Sequence, residues 1–477
     1  MRARQVLFFI LGVFLMLGAV WAVFPAEGVR VGGKRLRFAS YAGKLRDAAE
    51  RKVDVDSVLN ALDGRFTMRD DTLAFYRRFF YENPDRIYLP EDDYTFFDPV
   101  FRAFERARKE GKTVRVAHYG DSQIEMDRIS QDLREALQTR FGGCGTGMFP
   151  ALTTTPMASV SHYASGGFVF YTMLGDSTTR RASHRRYGPL AQVTGLYSNG
   201  TVTLRAQNRK STPEHVRHFQ SVSVLYGQAS EDFSVTVQAD TLSPRPVAQA
   251  KDSVTWVTWT FEKPVDKATL KFTGKAEIYG VATDGKAGVT VDNTPMRGST
   301  GDILIRIDKD LMKASFELAG TRLVILQFGG NFVPVARSGK AISGYMDKVR
   351  ELIAYFHEVA PESKILFIGP SDMAASTEEG GIVSYRRLPE VVDSLQAVSL
   401  ESGAAYWDLY RRMGGQNSMA QWVRHSPAYA GPDYVHFTST GAKLVGETLS
   451  RSLLTYYDFY NLRKTLPAAA VQQKMGR

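Results

Sequence analysis

A single cysteine stands among 477 residues, Cys144. An intramolecular disulfide is therefore impossible, and so is a cysteine-based zinc site. Cys144 lies in Phe141-Gly142-Gly143-Cys144-Gly145-Thr146-Gly147 and reads as a small packing residue in a glycine-rich loop. Histidine is also scarce. His118, His162, His184, His215, His218, His357 and His425 show no metal-ligand spacing. His215 and His218 fall where the chain reads as strand and loop, so their spacing sends them to opposite sides. Asp284-Gly285 and Asp292-Asn293 are better explained as turns than as calcium ligands. There is no tandem repeat, zinc-finger spacing, RNA-binding signature or long Lys/Arg block. The net charge of +10 and pI near 9.4 thus do not point to nucleic acid. They fit surface solubility, or an anionic membrane or acidic polymer as partner.

What is present describes a folded chain with a targeting segment. Hydrophobic residues make up 44% and charged residues 23%, ordinary values for globular proteins. The length suggests two or three domains. Arg2 and Arg4 precede an uncharged run from Val6 to Pro25, long enough to cross a bilayer as a helix. Ala19, Ala22 and Ala26 offer only weak cleavage signals. The run is therefore expected to be an uncleaved signal anchor. Basic residues before it place the N-terminus in the cytoplasm and the rest outside, periplasmic or at the cell surface. Residues 27–91 are polar and patchily helical, and read as a spacer and N-terminal extension.

From about Asp92 the pattern alternates. Val114-Arg115-Val116-Ala117 reads as a strand ending at His118-Tyr119-Gly120-Asp121-Ser122, and Ile129, Leu133 and Leu137 mark a helix behind it. Leu323 to Leu326 and Ile365 to Phe367 and Ile368 are continuous apolar strands, each followed by a helical pattern. Such strands imply a parallel sheet with helices on both faces. Between about Leu190 and Asn293 the texture changes to short alternating runs, such as Phe233 to Val237 and Val254 to Trp259. That predicts an inserted antiparallel β-sandwich. Trp256 and Trp259, three apart on a strand, face opposite sides, so at most one is a sugar platform. The predicted division is an α/β domain in two parts, 92–189 and 294–460, interrupted by residues 190–293. A loose tail at 461–477 ends the chain.

Four short motifs carry chemistry. Gly120-Asp121-Ser122 sits between a strand and a helix, where a turn exposes a serine hydroxyl. Asp433-Tyr434-Val435-His436 offers a histidine with a carboxylate to orient it. Gly329-Gly330-Asn331 sits at another strand end, where the Asn331 amide can donate to an oxyanion. Arg297-Gly298-Ser299-Thr300-Gly301-Asp302 offers the Gly301 N–H as a second donor. Each alone is a common turn or cap.

Their conjunction, in the order Ser, Gly, Asn, then Asp-x-x-His, resembles the SGNH (GDSL-like) hydrolase superfamily, with matches at Ser122, Gly301, Asn331 and His436. The resemblance covers roughly 112–150 and 297–457. It implies a flavodoxin-like three-layer α/β/α domain. It also implies Ser122, Asp433 and His436 as catalytic residues and Ser122, Gly301 and Asn331 as oxyanion donors, with no metal or organic cofactor. Gln123 replaces the family's usual Leu and Phe332 its usual Asp, departures that bear on substrate more than mechanism. Ser122 and Gly301 also stand 179 positions apart, several times the family's compact separation. An inserted β-domain there resembles peptidoglycan and polysaccharide O-acetylesterases that carry a carbohydrate-binding module. The expected function is removal of O-acetyl groups from an envelope glycan. Its rivals are an O-acetyltransferase using the same residues and a non-catalytic glycan-binding protein.

Overall fold

A computed structural model describes residues 72–475 apart from 153–154, 176–179, 210–211, 240–253 and 378–380; before residue 72 it describes only 12–17, 19, 29–31 and 34–36. Most of the expected anchor, Val6 to Pro25, lies outside the described residues. No helix among the described residues is long and apolar enough to cross a membrane.

The elements run α1 (Thr72–Glu82), β1 (Ile87–Tyr88), α2 (Asp98–Lys109), β2 (Thr113–Gly120) and α3 (Ser130–Phe141). Eight antiparallel strands follow. They are β3 (Gly147–Phe149), β4 (Val160–Thr172), β5 (Gln192–Ala206), β6 (Phe219–Gly227), β7 (Ser234–Gln238), β8 (Thr255–Val265), β9 (Lys267–Thr273) and β10 (Ala276–Asp284). Alternation then resumes with β11 (Gly288–Pro295), α4 (Lys309–Ala319), β12 (Thr321–Gln327), α5 (Gly339–Val359), β13 (Lys364–Ile368), α6 (Leu388–Glu401), β14 (Ala405–Trp407), α7 (Ser439–Arg463) and α8 (Ala468–Met475).

The central sheet has the order β11-β2-β12-β13-β14-β1, parallel throughout except for β1. Counted along the chain, the parallel strands stand 2-1-3-4-5, the flavodoxin-like order. Strand residues alternate between two cores. Leu323 and Ile325 pack with α2, α3 and α7, while Val324 and Leu326 pack with α4, α5 and α6. Burial on both faces explains the unbroken apolar strands. The strand order reverses between β2 and β12, and in such sheets ligands bind outside the carboxyl ends there.

Three boundaries differ from expectation. The antiparallel strands begin at Gly147, not near Leu190, and hydrogen bonding links all eight in one network. The long strand β5 joins its parts by pairing with β10 near its start and β9 near its end. Residues 288–293, expected within the insertion, instead belong to β11 beside β2. Sequence alternation misleads there because β11 is buried along nearly its whole length. The tail is not loose, since α8 buries Val471 and Met475. The last residues of the N-terminal extension pack on the α/β body. Phe80 of α1 stacks on Tyr456 of α7 at 4.4 Å, and β1 closes the sheet edge against β14.

The antiparallel sheet is joined to the α/β body through buried charge. Arg115 of β2 is 1% exposed and binds Asp284 at the end of β10 and, at 2.7 Å, Asp292 of β11. Asp292 also accepts from the Met148 N–H of β3 at 2.7 Å. Trp256 covers the Arg115 guanidinium, with 4.8 Å to the ring centroid. Trp259 packs instead against the sheet's own core, so the two tryptophans do face opposite ways.

Candidate active site

The turn after β2 is more strained than a plain strand-to-helix junction. Ser122–Asp127 is a 3-10 turn capped by Asp121, which accepts from the Gln123 N–H at 3.0 Å. Met126, Asp127 and Ile129 all have positive φ, at 61°, 68° and 64°, and α3 starts only at Ser130. The expected continuous helix from Ser122 is therefore broken. Non-glycine residues hold such angles only where surrounding contacts over-determine them. Here Asp127 makes a buried two-bond pair with Arg134 at 2.7 and 2.8 Å. Arg128 donates to the carbonyls of Ser122 (2.7 Å), Glu125 (3.0 Å) and Phe437 (3.1 Å). The result lifts Ser122 to the rim of a cavity at the carboxyl edge of the sheet.

That cavity has a volume of about 390 Å³ and holds Ser122, His436 and Asn331 together. Ser122 Oγ lies 2.8 Å from His436 Nε2. His436 Nδ1 lies 2.7 Å from Asp433 Oδ2, whose other oxygen accepts from the Val435 and His436 N–H groups at 3.1 Å. Burial raises the Asp433 carboxyl, but the hydrogen bonds from His436 and the two N–H groups outweigh it and hold it below its usual value. Asp433 thus stays ionised beside the ring. The Asp-x-x-His loop closes on itself through Gly431 N–H to His436 O at 2.8 Å, with Tyr434 at φ 57°.

Asn331 follows β12 and lines the cavity. Its Nδ2 donates to Ser299 O at 3.1 Å and to Asp121 Oδ2 at 3.2 Å. Asp121 is 5% exposed, and burial pushes its carboxyl up to about 6 against the Gln123 N–H bond and the His436 charge.

Gly301 is not where the motif places it. Its N–H donates to Ser299 Oγ at 3.0 Å, and a Cβ there would meet Phe328 at 2.9 Å. It is a packing glycine at φ 92°. Of the glycines in that stretch it is Gly298 that lines the cavity, at φ 76° with open space where a Cβ would point. The sequence offered both glycines in one short stretch, and spacing alone does not separate them.

Two departures from the family pattern are structural. Gln123 Nε2 donates to Val435 O at 2.7 Å, and Gln123 Oε1 accepts from the Phe437 N–H at 3.3 Å. One side chain therefore brackets His436 on both sides. Phe332 is buried and stacks on Tyr345 at 4.3 Å, away from any substrate role. Sequence reasoning also missed Arg128, whose three bonds join the serine turn to the histidine loop. The wall beside them carries Arg297, paired with Glu125 at 3.0 and 2.5 Å. His215 is half-buried and paired with Glu135 of α3 at 2.8 Å.

The arrangement can move a proton from a serine hydroxyl to an imidazole backed by a carboxylate. No family model matches the chain, and no curated protein matches it by sequence. Among solved structures, it is similar to one described as a peptidoglycan O-acetylesterase in action. The match has 22% identity and a TM-score of 0.61, over 75% of this chain and 96% of that one. At that identity the likeness shows a shared fold, and the expected SGNH resemblance holds at that level. A putative GDSL-like lipase from Parabacteroides merdae (17% identity, TM-score 0.28, 35% of this chain and 74% of that) overlaps less. So does an acetylxylan esterase from Geobacillus stearothermophilus in a catalytic-mutant form (16%, 0.25, 35% and 72%). Neither adds to that conclusion.

Proposed function

We propose that this chain is a serine esterase of the SGNH type that removes O-acetyl groups from a cell-envelope glycan. The observation that carries the reading is the continuous hydrogen-bonded line Ser122–His436–Asp433 at the mouth of the cavity. His436 Nε2 takes the Ser122 proton as Oγ attacks the ester carbonyl, while Asp433 steadies the imidazolium that forms. The carbonyl oxygen becomes an oxyanion, met by the Ser122 N–H, the Gly298 N–H and the Asn331 amide, which exchanges one of its two resting bonds, to Ser299 O or Asp121, for it. As the intermediate collapses and the C–O bond breaks, His436 gives its proton to the departing sugar oxygen, which leaves as a hydroxyl and leaves acetyl on Ser122. Water, deprotonated by the same ring, releases acetate and restores Ser122.

The glycan substrate is supported by two things. One is the shared fold with a protein described as a peptidoglycan O-acetylesterase. The other is the apolar run from Val6 to Pro25, which as an anchor puts the cavity on the envelope side of the cytoplasmic membrane. The test is incubation of the full chain with O-acetylated peptidoglycan and assay of free acetate. Acetate release that is lost in Ser122→Ala is the expected result. Turnover of a small acetyl ester with none of the glycan would refute the substrate assignment. Transfer of acetyl to an added sugar in place of acetate release would make the enzyme a transferase.

A further inference from the structure

Beneath the cavity floor runs a chain of buried hydrogen bonds that the triad does not use. Its direction can be worked out from one end. The Ile124 carbonyl can only accept, so the Asn293 atom 3.0 Å from it is the donor Nδ2. The same nitrogen lies 2.7 Å from Ser130 Oγ, which therefore accepts from it. The one Ser130 proton is left for His118 Nδ1, 2.9 Å away. With Nδ1 accepting, a neutral His118 carries its proton on Nε2, which faces the Gln327 side chain at 3.1 Å. Burial keeps the ring neutral, pushing it down to about 4, with the Gln327 bond opposing and Arg134 assisting. Gln327 must then present Oε1 to His118 and turn Nε2 the other way.

That other way is the cavity, which Gln327 lines. Gln327 is only 4% exposed, and Asn293, Ser130 and His118 are 4%, 0% and 0% exposed. Among the described residues Gln327 Nε2 meets no acceptor, whereas in the resting site the Asn331 amide, the Arg128 guanidinium and two nitrogens of the Arg297 guanidinium are engaged. Asn331 holds Ser299 and Asp121, Arg128 holds three carbonyls, and Arg297 holds Glu125. An amide donor this buried, held through a relay of buried groups, is a built feature, since His118, Ser130, Asn293 and the Ile124 carbonyl are taken out of water to aim it.

Resting on the esterase reading above, we propose that Gln327 Nε2 is a binding donor for a neutral oxygen acceptor of the substrate. Asn293, Ser130 and His118 are positioning residues that hold the amide in that orientation. The acceptor is uncharged because the donor is a neutral amide in a cavity shared with the Asp121 and Glu125 carboxyls, while the Arg128 and Arg297 guanidinia there are turned to protein oxygens. It is an oxygen either of the acyl group or of the sugar that bears it.

The experiment uses the full chain. Labelling of Ser122 by a serine-reactive organophosphate comes first. No labelling of the wild type would defeat the esterase reading itself and leave the cause unambiguous. Next, kcat and KM are measured with an aryl acetate and with an O-acetylated N-acetylhexosamine. Gln327→Met should raise KM about three- to tenfold, the worth of one neutral hydrogen bond, with kcat within about twofold. Ser130→Ala, which touches no cavity surface, should move KM the same way by less. A rise with both esters puts the acceptor on the acyl group, and a rise with the sugar ester alone puts it on the sugar. Unchanged KM with both esters overturns the proposal, and an effect of Gln327→Met with none for Ser130→Ala overturns the positioning chain. Gln327→Met leaves the His118 N–H unpaired, so Gln327→Glu is run beside it. That variant keeps an acceptor for His118 and sets an oxygen where the donor was, and should raise KM further. If neither Gln327 variant folds, by circular dichroism, the Ser130→Ala result decides.

Discussion

Replacing Gln123 with leucine, the usual residue there in the SGNH pattern that this sequence resembles, tests whether the histidine loop is held from the serine side. The side chain is 8% exposed and makes two hydrogen bonds, to Val435 O and from the Phe437 N–H. A net hydrogen bond contributes roughly 0.5–1.5 kcal/mol, so the pair contributes about 1–3 kcal/mol. Some restraint survives the change. Arg128 still holds Phe437 O, and Asp433 still accepts from the Val435 and His436 N–H groups. About 1–2 kcal/mol is then the loss that falls on placing His436 against Ser122, equal to a fall of about 5- to 30-fold in kcat. KM for a small ester should stay within about twofold, because the loss falls on proton transfer rather than on substrate contact. Steady-state kinetics on an aryl acetate reads both values. The rate of organophosphate labelling at Ser122 should fall by a similar factor, since it depends on the same proton transfer. A kcat within twofold of wild type, or a change confined to KM, would refute the clamp and make Gln123 a substrate-binding residue.

Other changes have equally definite outcomes. Ser122→Ala should cut turnover by on the order of a thousandfold or more without loss of fold, and a well-folded variant with substantial activity would refute the nucleophile. Asn331→Ala should lower kcat by roughly 10²–10³; a KM effect alone would mark a ground-state contact instead. Stability should fall as pH rises from about 4 to about 6, read by thermal melts across that range. Burial raises Asp121 and Asp284 to about 6, against an unperturbed value of 3.8, so the folded state binds more protons than the unfolded one in that window. Asp121→Asn should flatten part of the slope, and a flat wild-type profile would contradict the burial of these charges. Finally, full-length protein should fractionate with membranes, and a soluble mature form starting near Val23 to Glu27 would show cleavage instead.

The sequence was most informative where one physical signal dominates. Leu323 to Leu326 and Ile365 to Ile368 are apolar on every residue, and only a strand covered on both faces makes that pattern. Ser122, Asn331 and His436 each stand at a strand end or before a helix, and the parallel sheet brings them to one cavity. The misreadings share a different cause. Gly298 and Gly301 are indistinguishable as letters, and only the packing of Phe328 and Leu352 shows which one is enclosed. Val289 and Val291 of β11 continue the β texture of the preceding strands, and nothing local says that their neighbour is Arg115's strand rather than β10. The Ile129, Leu133 and Leu137 spacing was right about a buried helical face, yet blind to the positive φ angles of Met126 and Asp127 that interrupt the helix. Gln123 looked like a specificity change because its partners, Val435 and Phe437, are more than 300 positions away.

The Arg115 cluster makes the antiparallel part inseparable from the α/β part in a thermodynamic sense. Removing residues 190–293 would strip most of β11 from the central sheet and leave the fully buried Arg115 without either carboxylate. An uncompensated buried charge of that kind costs several kcal/mol. The two parts should therefore melt together, as one calorimetric transition rather than two. Any molecule gripped by either part then stabilises both, by RT ln(1 + [L]/Kd). A simple melting curve thus becomes a screen for ligands of the whole chain, including those that never approach Ser122.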